Sequence, residues 1–380
     1  MTSVVGLYAG IGGFELGFDE LGYHPLVLAD KDEHCRLVLE KRFARAKIEA
    51  DVADLTEIPT AARIVTAGFP CQNLSMAGDK SGLLGSKSGD IRHLFDLLRL
   101  GGRPTLAIEN VYFMLHLDRG AAMKSLVKDL EVLGYDWAYR VVNTTSFGLP
   151  QRRRRVFLVA STKLDPREVL FADEAGAAPK PVADIDRPIG FYWTEGRRGM
   201  GLAVDGIPPL KVASGLGIPS MPAVLFPDGE VLTPGIEACE VLQGFPRGWT
   251  DLDFDTKRSP RWSMVGNAVS VPAARWLAGR LKAPGKMLAL PTRRLSAESK
   301  WPDAAYGNSD GHFTVEASDR PSNVPPPSIE TYRDDSWKPL SARALRGYLS
   351  RARDGGLRFP EGFLDKLDKA LVRQERNTTA

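Results

Sequence analysis

The sequence has little of what marks several large protein classes. It carries three cysteines, Cys35, Cys71 and Cys239, in 380 residues. They are too few and too scattered for a disulfide framework or a zinc site, so a reducing, cytoplasmic setting without a metal is expected. No apolar run approaches the length of a membrane span, which leaves the membrane out as a partner. The first residues enter a β-rich run at once, with no basic n-region, and read as lacking a signal peptide. Neither sign of charge is in large excess. Lys and Arg number 50 against 47 Asp and Glu, so any basic surface must be local. Apolar residues are plentiful, at 43%, enough over this length to bury a substantial core in two or three domains.

Ser3 to Tyr8 is a short strand-like run, and Ala9-Gly10-Ile11-Gly12-Gly13 turns it into a helix over Phe14 to Leu21. Glycines between a strand and a helix let a ligand approach the backbone. The dinucleotide fingerprint wants glycine at position 15 and finds Glu15, which argues against NAD and leaves other nucleotide-like ligands. An ordinary glycine-rich turn is equally consistent with the motif alone. A second strand, Pro25 to Ala29, ends at Asp30, an acid suited either to ribose hydroxyls or to capping a helix. Asp51 and Val52 follow the next strand and are placed to face an adenine ring.

The apolar run Ile64 to Ala67 reads as a buried strand that ends near Gly68, because Pro70 cannot continue a central strand. Cys71 therefore falls at the carboxyl edge of a sheet, as a candidate nucleophile or as a small buried hydrophobe. Gly78 to Gly89 reads as a mobile lid. A further strand, Thr105 to Ile108, brings Glu109 to the same edge, either as the acid of a nucleophile and acid pair with Cys71 or as a carboxylate salt-bridged at a strand end. Gln151 and four arginines, Arg152 to Arg155, then enter the apolar run Val156 to Ala160. Strand alternation sends Arg153 and Arg155 to one face and Arg152 and Arg154 to the other, so that one pair can point into the cleft and the other outward to phosphates; a solvated basic turn is the rival reading.

Together these residues resemble the DNA (cytosine-5) methyltransferase family of the bacterial and phage restriction-modification type. Six blocks stand in the family's order: Tyr8 to Gly13, Gly68 to Gln72, Glu109 to Val111, Gln151 to Arg155, Leu242 to Pro246 and Gly266 to Val269. The resemblance implies an α/β fold, a doubly wound, Rossmann-like S-adenosylmethionine-dependent domain with a smaller target-recognition domain. It implies that Cys71 adds to C6 of a flipped cytosine, with Glu109, Arg153 and Arg155 completing the catalytic group. Tyr8, Gly10, Ile11, Gly12, Gly13, Asp30, Lys31, Asp51, Val52, Pro70, Asn267 and Val269 would hold S-adenosylmethionine. Lys31 stands where the family carries an aromatic or large apolar residue. Double-stranded DNA would be met by Gln72, Ser75, Arg152 and Arg154, and in the recognition domain by Arg197, Arg198 and Lys211. The family acts as monomers without metal, and a cognate restriction endonuclease is an open partner.

The expected division is a catalytic domain of residues 1–165 plus 261–285, a recognition domain of 166–260, and an extension of 286–380. By composition, 286–340 reads as a loosely packed, partly disordered arm. Two helices, Ala342 to Arg353 and Pro360 to Arg373, follow it. The helix Ala273 to Leu281 is expected to pack back on the first half. Two rival readings stand beside the main one: an RNA cytosine-5 methyltransferase, and a catalytically silent DNA-binding homologue.

Overall fold

The computed structural model describes residues 2–69, 89–178, 184–197, 199, 201–211, 221–254, 259–296 and 299–379. The chain opens with β1 (Thr2–Leu7), α1 (Gly13–Asp19), β2 (Tyr23–Ala29), α2 (Glu33–Arg42), β3 (Lys47–Glu49), β4 (Ala62–Ala67) and α3 (Gly89–Leu100). It continues through β5 (Thr105–Val111), α4 (Ala121–Val132), β6 (Asp136–Asn143), β7 (Arg154–Ser161) and α5 (Pro166–Leu170). A run of short elements follows: β8 (Ile189–Phe191), β9 (Ala203–Val204), β10 (Ala223–Leu225), β11 (Val231–Thr233), α6 (Ile236–Leu242) and α7 (Arg261–Asn267). The last third holds α8 (Val271–Lys282), β12 (Thr292–Arg294), β13 (Ala304–Asn308), β14 (Gly311–Val315), β15 (Lys338–Pro339), α9 (Ala342–Asp354) and α10 (Phe363–Thr379).

The chain divides into two units. The first comprises Met1–Phe147, Arg154–Ala177 and Val269–Asn323; the second comprises Gly148–Arg153, Ala178–Ala268 and Val324–Ala380. The first unit is built on a ten-stranded sheet ordered β12-β14-β13-β6-β7-β5-β4-β1-β2-β3. Strands β3, β2, β1, β4 and β5 run parallel, and β7, β6, β13, β14 and β12 alternate antiparallel beyond them. The central parallel strands β1, β4 and β5 are mostly buried because helices cover both faces. The order reverses at β1, so the loops after β1 and β4 leave the same edge in opposite directions and open a crevice there. Helix α8 packs on α1 as expected of the 273–281 segment. The approach is close: a Cβ on Gly17 would stand 2.8 Å from the Val271 carbonyl oxygen and 2.7 Å from the Arg275 nitrogen. Among the described residues no helix is long and apolar enough to cross a membrane.

The 286–340 segment departs from its compositional reading. Strands β12, β13 and β14 extend the main sheet, with β13 paired antiparallel to β6, so that β6 is not left as an edge. Apolar Ala304, Ala305, Tyr306 and Val315 are buried there despite the surrounding Pro, Ser and Asp. Arg140 on β6 fastens this addition from inside. It is fully buried and donates to the carbonyls of Ser318 (2.9 Å), Leu170 (3.0 Å) and Asp173 (2.6 Å), and pairs with Glu174 at 2.8 Å. The extension is thus not one body: its strands complete the first unit, and its helices belong to the second.

The second unit holds a five-stranded sheet ordered β15-β11-β10-β8-β9. Helices α9 and α10 bury Leu345, Tyr348, Leu349, Phe363 and Leu367 in one core with Ile189, Phe191, Ala223, Leu225 and Val231. Their apolar residues recur at helical spacing, which is why the segment is amphipathic and needs a sheet to cover. Replacing Arg140 by Ala leaves Glu174 and three carbonyls without their partner. Urea unfolding of Arg140→Ala is expected to show a loss of about 3 kcal/mol, and an unchanged midpoint would refute the fastening role.

Candidate active site

The loop after β1 is shaped by backbone conformations that glycine allows. Gly10 and Gly12 have φ of 58° and 83°, and Tyr8 itself takes φ 55°, an uncommon value for a side-chain-bearing residue. A Cβ on Gly12 would meet the Phe43 ring at 2.3 Å, whereas the same position on Gly10 faces open space. Two bonds tie the loop to the end of β2. The Ala9 amide donates to the Ala29 carbonyl at 3.1 Å, and the Gly10 amide to Asp30 Oδ2 at 2.7 Å. Asp30 Oδ1 accepts from the Asp32 amide at 2.9 Å. Burial raises the Asp30 pKa against the pull of these two amides. The carboxylate retains further lone pairs for a hydroxyl partner. Lys31 Nζ lies 3.4 Å from Asp51 Oδ2, and Asp51 Oδ1 accepts from the Ala53 amide while Val52 is buried. Ile11 is buried, and Gly13 begins α1.

Tyr8, Gly68 and Val269 converge. A methyl on Gly68 would stand 3.6 Å from both the Tyr8 carbonyl oxygen and Val269 Cγ2, and the Tyr8 and Phe69 rings meet edge to face. Asn267 belongs to the second unit, exposed at the end of α7. Pro70, Cys71, Gln72 and Ser75, with the lid, lie outside the described residues, as does Arg198. Cys35 and Cys239 are buried, and burial pushes both thiols up. Asp30 and Asp32 beside Cys35, and Glu240 beside Cys239, add to the effect. Neither is suited to nucleophilic attack.

Beside the β4 loop, β5 and β7 run antiparallel, with Glu109 opposite Phe157 and Val111 opposite Arg155. That register sets Glu109 and Arg155 diagonally on one face, with Arg155 Nε 3.2 Å from Glu109 Oε1. Both side chains are nearly buried. The neighbouring Asn110 points to the other face. Its Nδ2 donates to the Phe69 carbonyl at 3.0 Å and its Oδ1 accepts from the Val111 amide at 2.9 Å. Asn110 thus pins the chain two residues before Cys71. Sequence reasoning passed over it, although a buried amide in an apolar strand must find partners.

The arginine run does not follow simple alternation, because β7 begins only at Arg154. Arg153 precedes the strand and is buried; it donates to the carbonyls of Leu210 (3.3 Å), Gly266 (3.2 Å) and Ala268 (2.9 Å), all in the second unit. It grips the backbone on either side of Asn267. Arg152 is exposed. Arg154, expected at a phosphate, is instead ion-paired with Asp303 and with Asp319 (2.9 Å), its guanidinium 4.5 Å above the Tyr112 ring. Two carboxylates already neutralise it, which corrects the expectation of a phosphate contact. In the second unit Lys211 pairs with Glu195 and lies 3.5 Å over the Tyr192 ring, while Arg197 is two-thirds exposed.

Two further sets of buried polar groups carry no sequence signal of their burial. Gln151 Nε2 donates to the Leu242 carbonyl and to Gln243 Oε1, both at 2.9 Å. Gln243 Nε2 in turn donates to the carbonyls of Val265 and Ala268. This amide pair joins three of the sequence blocks into one hydrogen-bonded set. Glu240, fully buried, collects the amides of Gly248 (2.7 Å), Trp249 (3.2 Å) and Thr250 (2.8 Å) and pairs with Arg261 at 3.1 Å.

Glu15 occupies the position where a third glycine would have signalled NAD. It is buried in the first turn of α1, accepts from Thr66 Oγ1 at 2.8 Å, and fits because Gly6 has no Cβ, which would fall 2.4 Å from Glu15 Oε1. Burial, opposed by hydrogen bonds, raises its pKa from 4.5 to about 7.

Residues 2–186 match the sequence profile of the C-5 cytosine-specific DNA methylases. The chain is 41% identical over 385 residues to the Type II methyltransferase M2.BsuMI of Bacillus subtilis, covering 98% of each. It is 27% identical to the Type II methyltransferase M.HaeII of Haemophilus aegyptius, over 73% of this chain and 92% of that one. In fold it is similar to the S. pombe Dnmt2 methyltransferase, with TM-score 0.54 at 14% identity, over 74% of this chain and 99% of that one. The Entamoeba histolytica methyltransferase EhMeth gives 0.53 at 14% identity with the same coverage.

The Glu15 shift has a signed consequence. The folded protein keeps this proton up to about pH 7, whereas an unfolded chain releases it near the ordinary value. Stability therefore falls as pH rises between the two, by about 3 kcal/mol in total, and is flat in this respect above. Glu15→Gln, which keeps an acceptor for Thr66, is expected to abolish the slope. Thermal melts at pH 5 and pH 8 should show the variant gaining on the wild type at pH 8; parallel melts would contradict the assignment.

Proposed function

The chain belongs to the C-5 cytosine-specific DNA methylase family, and on that premise we propose that it transfers a methyl group from S-adenosylmethionine to C5 of cytosine in a short, specific sequence of double-stranded DNA. The observation that carries the residue assignments is the nearly buried Glu109–Arg155 pair, beside a loop that Asn110 holds two residues before Cys71.

The residues of the first crevice fit S-adenosylmethionine. Gly10 has open space where a Cβ would stand, so a ligand can lie against its backbone. Asp30, fixed by two amides, is an acceptor for ribose hydroxyls, and Asp51 and Val52 flank an adenine. Tyr8, Ile11, Gly12, Gly13, Lys31, Pro70, Asn267 and Val269 complete the set. When bound, the cofactor supplies an electrophilic methyl carbon.

Cytosine C5 is a weak nucleophile. Cys71, as thiolate, adds to C6; a C–S bond forms, and the ring electrons move toward C5 and N3. A free thiol has a pKa of about 8.5, so the reaction needs Cys71 to lose its proton before it attacks. Glu109 meets N3 and the exocyclic amino group, where charge develops on addition. Arg155 orients Glu109 through its Nε contact and holds O2 of the base. Arg153 acts differently from a group at the thiol: it fixes the backbone around Asn267. Once C5 carries the methyl group, its proton leaves to a base, the C–S bond breaks and the thiolate returns. The reacting edge is stacked in a duplex, so the cytosine is flipped out, with Gln72 and Ser75 filling the gap. Arg152 outside β7 and Arg197, Arg198 and Lys211 in the second unit are the candidate DNA contacts, Lys211 by exchanging Glu195 for a phosphate.

Bisulfite sequencing of a mixed-sequence plasmid, incubated with protein and S-adenosylmethionine, tests this. Protected cytosines within one short motif are expected, none with Cys71→Ala, and a rate about a hundredfold lower with Glu109→Gln. Absence of protection with wild-type protein that binds the cofactor would overturn the reading and turn attention to RNA.

A further inference from the structure

The second unit contains a loop whose shape is imposed by a segment more than 150 positions later in the chain. The loop runs from Tyr192 to Arg197. Its C-terminal partner is the end of α9. Arg351 Nε donates to the Glu195 carbonyl at 3.0 Å, and its second guanidinium nitrogen donates to the Trp193 carbonyl at 2.7 Å. The backbones touch as well. A Cβ on Gly355 would stand 2.7 Å from both Arg197 Cα and the Gly196 carbonyl oxygen, and one on Gly196 (φ 124°) would stand 3.2 Å from the Ala352 nitrogen. Beneath the loop, the Phe191 ring packs on Tyr348 of α9 at 4.8 Å and on Phe363 of α10 at 5.5 Å.

The loop is therefore held from one side by α9 and from the other by Pro209, Lys211 and Met221, and what it presents is a cation. Arg197 is two-thirds exposed and lies 3.8 Å from an equally open Asp354. An ion pair so exposed contributes little, and a phosphate can displace the carboxylate. We propose that the C-terminal helix pair is a working part of target recognition, in which Arg351 sets the Trp193–Arg197 backbone and so aims Arg197 at the phosphate backbone of duplex DNA. This rests on the reading of the chain as a DNA cytosine methyltransferase. Arg351 is a positioning residue, acting through the loop; α9 and α10 stand outside all six sequence blocks.

The test uses the full-length protein and a duplex oligonucleotide bearing the site that bisulfite sequencing identifies. In Arg351→Gln the KM for DNA is expected to rise about tenfold, with kcat at saturating DNA and the affinity for S-adenosylmethionine unchanged. The dependence of DNA affinity on salt should lose about one unit of slope, although Arg351 itself faces carbonyls. Arg197→Ala should show the same loss, and the double variant no further one. Gly355→Ala, which removes no charge but crowds Arg197, should raise KM in the same direction. Arg353→Gln, on the same helix and paired with Asp368, is the control and should behave as wild type. An unaltered KM and salt slope in folded Arg351→Gln overturns the proposal; if that variant does not fold, the same result in Gly355→Ala does so. Equal effects in Arg353→Gln, or additive losses in the double variant, also overturn it. A wild-type protein that methylates no duplex removes the underlying reading instead, which separates the two failures.

Discussion

Glu109 and Arg155 occupy neighbouring antiparallel strands at the edge where the loops of the parallel sheet emerge. Neither charge could sit there alone, since burying an unpaired carboxylate or guanidinium costs several kcal/mol. Together they hold a hydrogen-bonding carboxyl in a fixed attitude beside the chain that enters Cys71. The surrounding architecture follows from keeping that edge in register. The pairing of β5 with β7 must be antiparallel to bring an arginine diagonal to Glu109, and Asn110, facing away, uses the same strand to tether the β4 exit. One seven-residue strand thus sets both Glu109 and the course of the chain leaving β4 at Phe69.

Much of this was legible beforehand because the relevant signals are local. The glycine turn after β1, the apolar run ending at Gly68 and the acid at the end of β2 each mark a strand–loop junction within a few residues. The positions of Tyr8, Gly68 and Val269 show that distant blocks do converge. The phase of the arginine run was not legible, since it depends on β7 starting at Arg154, and that start is set by partners in β5 and β6. The strands β12 to β14 were hidden for a related reason. They are short and lie among Pro, Ser and Asp, and become strands because β6 offers an unpaired edge and Arg140 anchors the chain beyond them. Buried amides such as Asn110, Gln151 and Gln243 look like surface residues in a sequence, and their carbonyl partners carry no sequence signature.

In the second unit short strands are supplemented by polar side chains that organise the backbone between them. Its strands are two or three residues long. Much of its order comes from side chains that collect main-chain groups: Glu240 gathering three amides, Arg153 gripping three carbonyls, Gln151 and Gln243 joined to each other and to the chain before Val269. Such groups are costly when half satisfied and rigid when fully satisfied. The framework can therefore keep its form while the loops it supports differ in sequence.

The threading of the chain through both units also fixes a timetable for its synthesis. On a ribosome, residues 1–170 emerge with most of the large sheet, but β6 waits for β13, and the apolar faces of β8, β10 and β11 wait for Leu345 to Leu367. The first unit cannot close before β13 has been made, nor the second before Leu367. During that interval the nascent chain carries uncovered apolar strands, the condition under which aggregation competes with folding. A product that stops before Leu345 would leave the short strands of the second unit without the helices that bury them.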